Sequence, residues 1–102
     1  RLVGQSGLPG PLTVALADVD PLVRLAAVDI LGAMGDPAAA PPLCVTLADT
    51  DPAVRDAAAA ALTGMGDAAD RSLRRALRDE SEHVRAVAEA ILTSRTGGEP
   101  PN

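Results

Sequence analysis

Asp51-Pro52-Ala53-Val54-Arg55-Asp56-Ala57-Ala58-Ala59-Ala60-Ala61-Leu62-Thr63-Gly64-Met65-Gly66-Asp67 carries the start and stop signals of one complete helix. The Asp51 carboxylate is suited to accept from the unpaired N–H groups of the first turn. Pro52 falls at the first helical position, where a missing N–H costs nothing. Val54, Ala57, Ala58, Ala61, Leu62 and Met65 recur at helical spacing as one apolar stripe. Gly66 is placed to close the helix in the left-handed C′ conformation that glycine enters without strain.

The same text occurs more than once. Asp20-Pro21-Leu22-Val23-Arg24-Leu25-Ala26-Ala27 stands 31 residues upstream, and Gly35-Asp36 precedes Gly66-Asp67 by the same interval. A third copy, Glu82-His83-Val84-Arg85-Ala86-Val87-Ala88, follows 30 residues after the second. The leucine pairs Leu12/Leu16, Leu43/Leu47 and Leu73/Leu77 repeat ahead of each copy, and those segments end at Asp18, Asp49 and Asp79. Self-similarity at this period marks stacked helix pairs, each too small to bury its own apolar face alone. The chain therefore divides into repeats at about residues 5–35, 36–66 and 67–95, one repeat domain over residues 1–95. Arg1-Leu2-Val3-Gly4 aligns with Gly32-Ala33-Met34-Gly35. We expect residues 1–4 to be the remnant of a preceding repeat in a longer array, and residues 96–102, polar and rich in Gly and Pro, to be a disordered tail.

Within this frame the spacing predicts a first helix over Leu8–Ala17 and a second over Pro21–Met34. A short helix follows, delayed by Pro41 and Pro42 to about Ala40 and ending near Ala48, and then Pro52–Met65. The third pair is predicted over Ala68–Arg78 and about Ser81–Arg95, with Ser81 as cap and Glu82 favoured in the first turn by the helix dipole. With no Phe, Tyr or Trp in 102 residues, the core has to be built from Leu, Val, Ile, Met and Ala. Small side chains suit closely approaching helices. Leu62 is predicted to be sandwiched between repeats.

Composition excludes several functions. A net charge of −5 opposes a nonspecific grip on a phosphate backbone, so nucleic acid is not expected as a partner. Cys44 is alone, which rules out an internal disulfide and fits a reducing interior. No apolar run approaches the roughly 18–20 residues of a membrane span, and no secretory pattern opens the chain. A cytoplasmic location without membrane contact is the expectation.

The motif Asp-x-Asp-Pro-x-Val-Arg-x-Ala-Ala followed by Leu-Gly-x-Met-Gly-Asp resembles HEAT-like repeats of the short kind found in phycobilisome-lyase-type proteins. Leu31-Gly32-Ala33-Met34-Gly35-Asp36 fits that pattern in full. Repeat two carries Thr63 in place of the first glycine; repeat three has His83 for the proline and Thr93-Ser94-Arg95 for the glycine-bearing end. The resemblance implies an all-α, right-handed solenoid of about three stacked helix pairs. It carries no lyase activity with it, since such repeats serve many functions.

Arg24, Arg55 and Arg85 share one repeat position, with Asp20, Asp51 and Glu82 shortly before them. Recurrence argues for a structural ladder, each Arg bonding turn carbonyls and acids of neighbouring repeats, over a one-off binding site. Arg71, Arg74, Arg75 and Arg78 lie on one helix face where repeat two is uncharged, at Cys44, Val45 and Ala48 among others. They read as the polar cap of a terminal repeat. His83 is the single histidine, and the His-Glu pairs of the iron-binding HEAT-repeat hydroxylases are missing, so neither metal nor cofactor is implied. Cys44 aligns with Thr13 and Arg74, positions that read as outward-facing, and has no neighbour to lower its pKa. Leu22, Leu25 and Val28 align with Ala53, Asp56 and Ala59 on a flank away from the expected core, an exposed apolar cluster that binds a partner or packs on a missing repeat.

No catalytic set emerges. The expected role is a noncatalytic protein–protein interaction or scaffold module, with a partner surface on the second helices that includes Leu22, Leu25, Asp29, Asp56, Ala60 and Ala86. The alternative is an accessory or regulatory domain of a lyase or modification enzyme whose active site lies elsewhere. A weak homodimer through the N-terminal open end, around Leu22 and Leu25, is also expected.

Overall fold

The computed structural model describes residues 10–95. Its elements are α1 (Gly10–Ala15), α2 (Pro21–Met34), α3 (Ala40–Thr46), α4 (Pro52–Met65), α5 (Asp70–Ala76) and α6 (Glu82–Arg95). Single 3₁₀ turns at Pro37–Ala39 and Gly66–Ala69 lead into α3 and α5. No strand occurs among the described residues. Short helices α1, α3 and α5 form one layer and the 14-residue helices α2, α4 and α6 the other, with the core between them. This is an all-α stack of three helix pairs.

The caps explain the ends of the long helices. Asp20 Oδ1 accepts from Leu22 N at 2.9 Å, and Asp51 Oδ1 accepts from Ala53 N at 2.8 Å. Ser81 Oγ accepts from Val84 N at 3.2 Å. Pro41 and Pro42 fall in the opening turn of α3, where N–H groups have no partner in the helix. Gly35 ends α2 in the left-handed conformation, at φ 66° and ψ 16°. Gly66 does not repeat this. Its φ of 59° is paired with a ψ of −133°, a region open to glycine alone, and the chain passes directly into the next 3₁₀ turn. The predicted helix over Ala68–Arg78 is accordingly shorter, its opening residues belonging to that turn. The predicted start at Leu8, the remnant at residues 1–4 and the tail at 96–102 lie outside the described residues.

Leu31, Leu43, Leu47, Leu62, Leu73, Val28, Val54 and Val84 are fully buried, and Ala27, Ala58 and Ala88 recur in the core at one repeat position. The middle repeat is covered on both sides, as nearest-neighbour stacking requires. Val54 is buried, whereas its counterpart Val23 at the N-terminal edge is partly exposed; Leu47 is buried, whereas Leu77 at the other edge is not. Helix α2 comes close to α4 at Gly32, where an added Cβ would stand 2.8 Å from the Cβ of Ala61. Repeat two has Thr63 at the equivalent place, and α4 meets α6 far less extensively than α2 meets α4.

The expected exposed cluster does not form. Val28 is 0 % exposed and Leu25 is half-buried against the core, leaving Leu22 at 71 %. Val28 faces α4 across a crevice that it shares with Gly32, Ala57 and Ala61. The α2 positions that match Ala57, Ala61 and Gly64 of α4 are Ala26, Ile30 and Ala33, and these three are exposed. They, with Val23, are exposed on the side of α2 away from α4.

Candidate functional site

The turns that join each helix pair are built alike. Asp18, Asp49 and Asp79 each turn Oδ1 back to accept the N–H two residues on, from Asp20 at 2.8 Å, Asp51 at 2.9 Å and Ser81 at 2.8 Å. One turn into the following helix, an arginine reaches back to the same turn. Arg24 Nη1 donates to Asp18 O at 2.8 Å, Arg55 Nη1 to Asp49 O at 2.8 Å, and Arg85 Nη1 to Asp79 O at 2.6 Å. Arg24 and Arg85 also reach the carbonyls of Val19 and Glu80. These guanidinium groups satisfy carbonyls that leave the short helices without a partner.

Arg24 does more. Its Nε and Nη2 donate to Asp49 Oδ2 and Oδ1 at 2.8 and 3.0 Å, a bidentate pair linking the first turn to the second. The two side chains are 13 % and 9 % exposed. Burial works against the ionised Asp49, but hydrogen bonds from Arg24 and from Asp51 N outweigh it and hold the carboxyl below the usual carboxylate range. Among the described residues, Arg55 and Asp79 do not make the equivalent pair. Asp20 and Asp51, the acids that spacing offers to Arg24 and Arg55, serve as helix caps, and Glu82 lies exposed in the first turn of α6.

On the long-helix layer, Leu22, Asp29, Asp56, Ala60 and Ala86 are exposed, and Leu25 is the half-buried exception. Asp29 and Ala60 border the crevice between α2 and α4, about 310 Å³ in volume. The opposite layer holds what sequence reasoning missed. Val14 and Val45 are 72 % and 75 % exposed at one repeat position. A groove of about 540 Å³ opens between α1 and α3 beside Val45, and one of about 230 Å³ between α3 and α5. The signal lay in the repeat alignment, which sets two valines and Arg75 in one row.

Cys44 is half-buried rather than outward-facing. Burial, aided by the Asp79 charge, pushes its thiol up to about 11. His83 is exposed at the start of α6. Among the described residues, no three of His, Cys, Asp and Glu converge as metal ligands, and no helix is long and apolar enough to cross a membrane.

A family model of HEAT repeats matches residues 8–93. No curated protein matches the chain.

Proposed function

We propose that this chain, which belongs to the HEAT-repeat family, is a noncatalytic protein–protein interaction or scaffold module that presents its partner surface on α2, α4 and α6. HEAT repeats generally mediate protein–protein interaction, and that coarse role comes with the family. One observation carries the finer reading: Leu22, Asp29, Asp56, Ala60 and Ala86 stand exposed along the three long helices, while the inner faces of those helices are consumed by the core. Small side chains keep this surface low in relief. Its aspartates favour a partner segment with basic side chains around an apolar residue that meets Leu22. The motif Leu31–Asp36 supports kinship with the short, phycobilisome-lyase type of repeat, and the lone thiol fits a cytoplasmic setting.

A photo-crosslinking side chain placed at Ala60 or Ala86 tests the reading in cell extract. The expected result is a discrete protein adduct that disappears when Asp29→Arg is combined with Asp56→Arg. Adducts that survive this charge reversal, or that contain nucleic acid, refute it.

A further inference from the structure

The layer of short helices carries its own pattern, distinct from the surface just described. Val14 of α1 and Val45 of α3 project into solvent from the same repeat position, and neither belongs to the core. Val45 rims both inter-repeat grooves, with Leu16 and Pro42 on one side and Pro41 and Ala76 on the other. In the third repeat this row turns basic. Arg75 stands where Val45 stands, Arg71 where Pro41 stands, and Arg78 where Ala48 stands. All three are exposed, and among the described residues none of them forms an ion pair; Arg74 lies 3.9 Å from Asp70. Asp79 and Glu80 flank the row on the following turn, with one Asp79 oxygen committed to Ser81 N.

A solubility cap accounts for the arginines but not for two exposed valines at matched sites, one of them, Val45, with an open groove on either side. A phosphate backbone would meet the arginines, leave the valines uncovered and confront a chain of net charge −5. We propose that the α1–α3–α5 face is a second docking surface, for a protein segment that places apolar side chains in the grooves beside Val45 and then lays a run of carboxylates along Arg71, Arg75 and Arg78. The apolar anchors supply the desolvated centre of the contact, and the arginines set its direction and speed its formation. This surface is opposite in charge to the long-helix layer, so the two accept different partners.

The test uses the full 102-residue chain, labelled with nitrogen-15, and a synthetic peptide bearing two spaced leucines followed by a run of glutamates. Amide shifts are expected to cluster around Val14, Val45 and Arg75. Val45→Glu, and separately Arg75→Glu with Arg78→Glu, should each weaken binding about tenfold or more, the scale of losing a central anchor. These sites are exposed, and unchanged circular dichroism shows that the variants fold. Asp56→Arg should leave this affinity unaltered, which separates the proposal from the one for the long-helix layer. Shifts on α2, α4 and α6, equal binding of a lysine-for-glutamate peptide, tighter binding of a single-stranded oligonucleotide, or no saturable binding would each overturn it.

Discussion

Gly32→Ala places a methyl group 2.8 Å from the Cβ of Ala61. Carbon atoms settle at about 3.5–4.0 Å, so α2 and α4 would have to separate by roughly 0.7 Å or more. Ala61 cannot yield by changing rotamer, because its Cβ moves only with its backbone. Overpacking of this kind costs about 1–3 kcal/mol, against which alanine in a helix interior gains about 0.5–1 kcal/mol over glycine. The single variant should lose about 1 kcal/mol net. Ala61→Gly should lose about the same for the reverse reason, a glycine in a helix and a small void. In the double variant the two propensities cancel and the overlap is gone, so stability should return to within about 0.5 kcal/mol of the parent. Urea unfolding of all four proteins closes the cycle, with an expected coupling of about 1–2 kcal/mol. Additive effects, or a Gly32→Ala variant that gains its full propensity, would show that the helices do not meet at this point.

Asp49 titrates lower in the folded chain than in the unfolded one, so the unfolded chain takes up this proton first as pH falls. Its contribution is fully present above about pH 4 and fades as pH drops through the folded value. Asp49→Asn should be less stable than the parent at neutral pH, with the gap closing under acid; denaturation midpoints across pH measure it, and a gap unchanged at low pH contradicts the pairing. Cys44, pushed up to about 11, should be roughly one-thousandth thiolate at pH 8 and alkylate far more slowly than in the urea-unfolded chain. Equal rates in the two states would refute its burial. Weak self-association through the exposed face of α2 should respond to Ile30→Glu rather than to changes at Leu25, read by sedimentation equilibrium. A strict monomer at millimolar concentration removes that expectation.

The long helices were legible because their ends are chemically marked. Asp20 with Pro21 and Asp51 with Pro52 set the starts of α2 and α4 at the residues that the structure shows. Faces were less legible where alanine fills the aligned position. Ala59 reads equally well as buried or exposed, so it could not reveal that Val28, one repeat earlier, points into the core. Alignment with Arg74 likewise hid the partial burial of Cys44. Gly66 announced a positive φ but not its ψ, which decides whether a helix closes or runs into a 3₁₀ turn. The partner of Arg24 was beyond local spacing, since Asp49 stands 25 residues on and is brought near by stacking alone. The exposed valines of the short-helix layer were in plain view, yet the repeat rule assigns function to the other layer and drew attention away from them.

The two junctions between repeats do not have the same shape. At the first, α2 and α4 touch at Gly32 while α1 and α3 stand apart around the larger groove; at the second, α3 and α5 draw together and α4 and α6 slacken. A methyl group added at Gly32 would therefore meet the neighbouring helix, whereas one added at Gly64 meets nothing within 4 Å. Room for a larger side chain thus differs from one position of the long-helix layer to the next, although the repeats read alike in sequence.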